Sequence, residues 1–474
     1  MLYNIQNKKK IRRRIKPLQM IVLGFTAVIA LGTLILMLPV STASGKGADL
    51  LDAAFTSVSA TCVTGLTVVD TFSFWSRFGQ IVILCLIQFG GLGAMSMIVL
   101  LALMIRKRIS PRDNLIVSRS LGLDGSEDTA SGLMRIIITG TFSIELIGAV
   151  ILSFRFIPEF GPGEGIYKSV FHSVSAFCNA GFDVMGDYKG GASLSAFSDS
   201  PLVLLTLSAL IIIGGVGFLV WADVWGCIFA KKHIRLSASE AVHNIAGRKD
   251  TLFPYTKFVL LVTALLLVSG TCFTAISEWN RALSGMSVGS KLLNSFFHSV
   301  SLRTAGFAAI DNSTLAPGTK AFSIVYMFIG GASGSTAGGV KASTVGLAVY
   351  AMIRVMGGGT DVVIFGRKVK QETVLRALAL VFIGEVLIAL CTSLIVAFER
   401  TPFLDTLYEA TSAYATVGLS AGLTGALRSG GRVILMVLMF FGRVGILTIL
   451  LSIIQRSSVG TEEVKRPDTQ FLIG

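Results

Sequence analysis

At 474 residues, 53% hydrophobic and only 14% charged, with a mean hydropathy of +0.75, the chain excludes a soluble globular domain. Its net charge of +14 does not mark a nucleic-acid binder, because 27 of the 41 Lys and Arg fall in the N-terminal segment, the loops 106–135, 231–257 and 354–376, and the C-terminal tail. By the positive-inside rule those stretches and both termini are cytoplasmic, which makes this an all-α polytopic membrane protein of the cell membrane.

Residues 1–16, with KKKIRRR, form a basic cytoplasmic arm suited to anionic lipid or to fixing topology. Apolar spans follow near 17–40, 77–105, 133–157, 201–230, 255–277, 317–353, 373–398 and 432–454, each long enough to cross. The first is too long for a signal-peptide core and is retained as a helix. The six cysteines, Cys62, Cys85, Cys178, Cys227, Cys272 and Cys391, lie in or beside apolar stretches with no CxxC pair, and read as small packing residues. His172 and His298 read as hydrogen-bonded buried imidazoles, not ligands.

Between each pair of spans lies a segment that ends on a glycine. FTSVSATCVTGL runs from Phe55 to Leu66, FHSVSAFCNAGF from Phe171 to Phe182, FHSVSLRTAGF from Phe297 to Phe307, and YEATSAYATVGLSAG from Tyr408 to Gly422. Their glycines, Gly65, Gly181, Gly306 and Gly418, are 116, 125 and 112 residues apart. The third copy is one residue shorter between its aromatic residue and its glycine. A self-similar period of this length means four copies of a domain-sized unit. About ten residues of helix before each glycine span only about 15 Å, so the segment enters the membrane and turns back. Asp52 and Asp405 stand where N-caps of the first and fourth re-entrant helices are expected.

The plan is therefore four fused crossing–re-entrant–crossing (M1-P-M2) repeats, like those of a potassium channel, around a pseudo-fourfold pore. The expected divisions are a basic N-terminus 1–16, repeat one 17–105, a cytoplasmic loop 106–132, repeat two 133–230, a loop 231–254, repeat three 255–355, a loop 356–372, repeat four 373–455 and a tail 456–474. Four backbone ladders around one axis, Cys62-Val63-Thr64-Gly65, Cys178-Asn179-Ala180-Gly181, Arg303-Thr304-Ala305-Gly306 and Ala415-Thr416-Val417-Gly418, would replace the water shell of a bare cation with carbonyl oxygens.

A second signature recurs in the span after each ladder: QFGGLG at Gln88–Gly93, IIGGVG at Ile212–Gly217, FIGGASG at Phe328–Gly334 and FFGRVG at Phe440–Gly445. In the third repeat it extends into GGASGSTAGGVKAST, too glycine-rich for a helix and tolerable at membrane depth only where protein or water covers the backbone. Gly330, Gly331, Ser333, Gly334, Ser335, Thr336, Gly338, Gly339 and Lys341 are therefore the expected gate. The stretch misses phosphate-loop spacing, because Val340 separates Gly339 from Lys341 and no strand precedes it. In the fourth repeat Arg443 replaces the glycine found at Gly91, Gly215 and Gly331, and a cation in the bilayer interior is a functional candidate whether it faces the cavity or bonds to the loop's carbonyls.

Four glycine-ended segments, one glycine-rich broken helix and Arg443 together resemble the Trk/Ktr/HKT superfamily of potassium transporters, and among them the membrane subunits of bacterial Ktr systems. The resemblance covers almost the whole chain. It implies potassium uptake, often sodium-stimulated, a homodimer, and a cytosolic ring of KtrA-type nucleotide-binding subunits. The cytoplasmic loops are too short to hold a nucleotide-binding domain of their own. Gly65, where sodium-selective plant relatives carry serine, argues for the potassium-permeable type.

The expected function is thus potential-driven potassium import with no organic cofactor and no covalent chemistry. A sodium transporter or sodium–potassium symporter of the same architecture is the first alternative. A sodium-coupled organic-solute transporter is the second, and it predicts a further broken span in an inverted half. A membrane enzyme ranks last, since no nucleophile stands with a base.

Overall fold

The computed structural model describes residues 17–93, 127–186, 188, 193–229, 252–359 and 361–445. The basic arm 1–16, most of the loops 106–132 and 231–254, the tail 456–474, and the far ends of the spans 77–105 and 432–454 lie outside the described residues.

The described chain is almost entirely helical. The helices, in chain order, are α1 (Pro17–Leu36), α2 (Leu50–Cys62), α3 (Arg77–Leu92), α4 (Glu127–Phe160), α5 (Pro162–Phe177), α6 (Pro201–Gly215), α7 (Phe218–Phe229), α8 (Pro254–Glu278), α9 (Val288–Ser301), α10 (Pro317–Phe328), α11 (Ala342–Met356), α12 (Gln371–Glu399), α13 (Phe403–Ala415) and α14 (Ser429–Val444). Proline opens α5, α6, α8 and α10 at the helix start, where its missing N–H is no loss. A small departure from the all-helical expectation is an antiparallel hairpin pairing Val363–Ile364 with Arg367–Lys368 in the loop before α12.

Among the described residues, Ile137–Phe160, Pro254–Glu278 and Gln371–Glu399 are long and apolar enough to cross a membrane alone. The expected continuous span 201–230 is instead two helices, α6 and α7, bent by 95°. The reason lies in the glycine signature. Its last residue adopts positive φ in all four copies, Gly93 at 81°, Gly217 at 94°, Gly334 at 70° and Gly445 at 87°, a conformation that side chains resist and that ends a helix. In the second copy this glycine lies between α6 and α7, in the first and fourth it caps α3 and α14, and in the third it lies inside the glycine-rich stretch, beyond the end of α10.

The two expected N-caps are also displaced. Asp49, not Asp52, caps α2 by accepting from Leu51 N at 3.2 Å, and α13 has Pro402 at its N-cap position with no side-chain cap. Asp52 and Asp405 sit one turn further in, free to pair with other elements.

Each short helix leads into a ladder and packs against neighbours of its own quarter: α2 on α1 and α3, α5 on α4 and α6, α9 on α8, and α13 on α12 and α14. It also packs on a helix of the preceding quarter, α5 on α3, α9 on α6, α13 on α10 and α2 on α14. These four contacts close a ring.

A serine and a glycine seat three of the short helices. Ser57 Oγ donates to Ile29 O at 2.8 Å, Ser173 Oγ to Glu145 O at 2.6 Å and Ser299 Oγ to Leu267 O at 3.0 Å. Each hydroxyl fits only because the facing residue is Gly32, Gly148 or Gly270. In the fourth quarter Gly384 faces Tyr414 in the same way.

A candidate ion-selective throat

The four ladders share one backbone device. The residue two before each glycine has positive φ, Val63 at 57°, Asn179 at 59°, Thr304 at 70° and Thr416 at 52°, and so does the glycine itself. β-Branched Val63, Thr304 and Thr416 resist that conformation, so it is held by surrounding structure. The holders repeat too. Gly65 N donates to Ser59 Oγ and Gly418 N to Ser412 Oγ, both at 3.1 Å, while Ser175 and Ser301 donate to Phe182 O and Phe307 O at 2.7 and 2.6 Å. Thr304 and Gly306 fall in register with the other copies, which places the missing residue of the third copy between Ser301 and Thr304.

The segments meet in cyclic order. A methyl carbon placed on Gly181 would lie 2.7 Å from Ala305 O and 2.8 Å from Gly306 Cα. One on Gly65 would collide with Ala180 O, one on Gly306 with Val417 O, and one on Gly418 with Thr64 O. Each glycine therefore touches the carbonyl before the next glycine, and the fourth returns to the first. Outside this ring is a cavity of about 620 Å³ lined by Gly65, Gly181, Gly306 and Gly418 together with Asp70, Asp183 and Asp311. Four glycines and three acidic residues on one cavity make its lining one that favours a cation over an anion.

The side chains of the ladders serve other ends. Cys62 and Cys178 are buried, and Cys178 Sγ donates to Gln88 Oε1 and Glu145 Oε1 at 3.7 and 3.8 Å. Arg303 is buried and donates to Thr263 Oγ1 at 3.3 Å, so only its backbone remains for the throat. Asn179 Nδ2 donates to Ala176 O and Ile211 O at 3.1 and 3.2 Å, which leaves its amide oxygen to accept from Thr304 Oγ1 and join the second and third ladders. His172 Nδ1 bonds to Lys168 O at 2.7 Å, as a structural imidazole does. Sequence reasoning missed Glu409 of α13. Its buried carboxylate accepts from Ser420 Oγ, Ala421 N, Leu423 N and Thr424 Oγ1 at 2.5 to 3.2 Å and holds the segment beyond Gly418. A buried acid one residue after an aromatic in an otherwise apolar re-entrant helix was the available signal.

The glycine-rich stretch between α10 and α11 is a closed loop. Gly330 N donates to Val340 O and Ala342 N to Gly331 O, both at 2.9 Å, which pinches its neck. Its body is fastened to the second quarter, with Ala332 N donating to Gly215 O at 2.8 Å, Phe218 N to Gly334 O at 2.8 Å and Thr336 Oγ1 to Phe177 O at 3.0 Å. Gly338 and Gly339 lie against Thr416 and Ala415, at the inner end of the fourth ladder. Ser335 Oγ donates to Ala332 O and Lys341 Nζ to Ala337 O, both at 2.6 Å, and Ser333 and Ser343 hydroxyls meet at 3.2 Å. Arg443 donates to Thr336 O and to Gly90 O, tying the loop to α3.

Comparison with known proteins agrees with this architecture. The family model described as TrkH, cation transport protein, matches residues 2–460. The chain is 38% identical over 472 residues to the potassium/sodium uptake protein NtpJ of Enterococcus hirae, covering 98% of this chain and 99% of that protein. It is 35% identical over 463 residues to the Ktr system potassium uptake protein B of Bacillus subtilis, covering 97% of each. The crystal structure of the potassium transporter TrkH from Vibrio parahaemolyticus shares the fold, with a TM-score of 0.68 at 19% identity over 94% of this chain and 86% of that one. A membrane architecture of broken helices around one ring, matched by a family model over nearly its whole length, makes this chain a member of the TrkH cation transport family, a family of membrane transporters and not of enzymes.

Proposed function

We propose that this protein imports potassium across the bacterial cell membrane through a throat built from four fused units, each a crossing, a re-entrant helix and a second crossing, with the divisions given above. The observation that carries the reading is the cyclic contact of Gly65, Gly181, Gly306 and Gly418, each against its neighbour's carbonyl. Potassium sheds water in the acidic outer cavity and is held by the carbonyls of residues 62–65, 178–181, 303–306 and 415–418. It passes inward when the 330–341 loop leaves the inner end. An inside-negative potential contributes about 2.3 kcal/mol per charge per 100 mV, so no coupled chemistry is required.

Both termini are cytoplasmic in this reading, and the transporter works as a homodimer on a KtrA-type nucleotide-binding ring. The B. subtilis relative, named as part of a Ktr system, supports a partner of that kind. Sodium as a second permeant or stimulating ion is the other reading, favoured by the potassium/sodium name of the E. hirae relative. Uptake of rubidium and of sodium in cells lacking other potassium importers tests both. Rubidium uptake competed by potassium supports the first reading, and sodium uptake without rubidium uptake overturns it.

A further inference from the structure

The ring closes through side chains as well as backbone. At three of its seams a basic residue from the outer end of the helix after one ladder meets an acid in the first turn of the next re-entrant helix. Arg432 of α14 donates to Asp52 of α2 at 2.8 Å, with side chains 20% and 23% exposed. Lys320 of α10 meets Asp405 of α13 at 2.8 Å, with side chains 10% and 29% exposed. Arg77 of α3 pairs with Glu164 of α5 and lies 3.8 Å from the Tyr167 ring centroid. At the fourth seam, Asn294 Nδ2 of α9 donates to Ser198 O, just before α6, at 2.8 Å.

The acids lie in the first turn of helices whose other ends open directly into the ladders. Arg432 is fixed at three points, since Nε donates to Leu427 O at 2.8 Å and Nη2 to Gly425 O at 3.1 Å. A rigid helix of about 20 Å transmits a shift at its outer end to its inner end. We propose that these clasps are positioning groups for ion selection: they fix the four re-entrant helices against one another and so set the spacing of the carbonyls around the glycine ring. The inference rests on the ion-throat reading above.

The half-buried Arg432–Asp52 pair is the best test, because exposed pairs such as Arg77–Glu164 contribute little on their own. In reconstituted protein, Arg432→Gln and Asp52→Asn should each lower the potassium-over-sodium uptake ratio about three- to tenfold. The double variant should be no worse than either single, the sign of a coupled pair. Arg432→Lys should recover most of the ratio.

Thermal stabilisation by potassium against sodium in detergent gives a second readout, and for a variant too unstable to reconstitute it is measured on Asp52→Asn alone. Unchanged ratios in both singles, or additive losses in the double, overturn the proposal. Gly418→Ser in the same assay separates the failures: if it changes the ratio and the clasp variants do not, the throat stands and the clasp role falls. If neither changes it, the throat reading itself falls.

Discussion

Arg443 and Thr336, 107 positions apart, are joined by a hydrogen bond from the guanidinium to the main-chain carbonyl, and the same guanidinium reaches Gly90 O on the opposite wall. Its charge is therefore held by main-chain carbonyls of the 330–341 loop and of α3. A buried charged group with its hydrogen bonds made is expensive to remove in part, since the carbonyls left behind lose their donors.

Arg443→Gln keeps one amide donor and removes the charge and the second contact. Basal flux through reconstituted protein should rise several-fold at fixed driving force, measured as rubidium uptake into liposomes. A fall, with the protein still folded, would contradict a restraining role for the bond.

Shortening the loop tests the same element from the other side. Deleting Ser333 to Gly338 removes the residues bonded to Phe177 O, Gly214 and Arg443 while leaving the neck between Gly330 and Val340. Higher flux with retained potassium preference is the expected outcome in the same liposomes.

Gly418→Ser places a β-carbon against Thr64 O at a φ of 95° that serine resists. The ring must open or tilt at that point. The ratio of potassium to sodium uptake should fall at least about tenfold, the equivalent of about 1.4 kcal/mol lost in discrimination.

For the seating glycines the expectation concerns folding more than selection. Ser173→Ala loses one hydrogen bond, about 1 kcal/mol. Gly148→Val forces branched carbons onto the Ser173 hydroxyl and the Leu210 side chain, an overpacking worth about 1–3 kcal/mol or more. Detergent melting curves should rank wild type, Ser173→Ala and Gly148→Val in that order.

Much of this was legible in the sequence because the physics repeats. A glycine that needs positive φ cannot be replaced cheaply, so Gly65, Gly181, Gly306 and Gly418 mark themselves four times over. The five glycines of the 330–339 stretch likewise announce a backbone that is not helical. The break at Gly217 was hidden because residues 201–229 are mostly apolar on both sides of it, and hydropathy carries no record of a 95° turn. Asp52 and Asp405 were misplaced as caps because the choice between Asp49 and Asp52 depends on where the chain enters the helix. Their true partners lie in other quarters of the molecule. Gly32, Gly148, Gly270 and Gly384 escaped notice because a lone glycine in an apolar span has no local meaning until the hydroxyl or ring opposite it is known.

The four seams of the ring are chemically unlike one another: arginine with aspartate, arginine with glutamate, lysine with aspartate, and an amide with a carbonyl. Such dissimilar joints restrict the order of assembly, since the amide joint ties the second unit to the third. Exchanging the second and third units would set Arg77 against α9, which carries Lys291 and no carboxylate. Starting the chain at a different unit would leave every joint intact, since Phe25 and Val444 already pack side by side. The neighbours of each re-entrant helix are thus written into side chains at the rim as well as into the backbone of the ring.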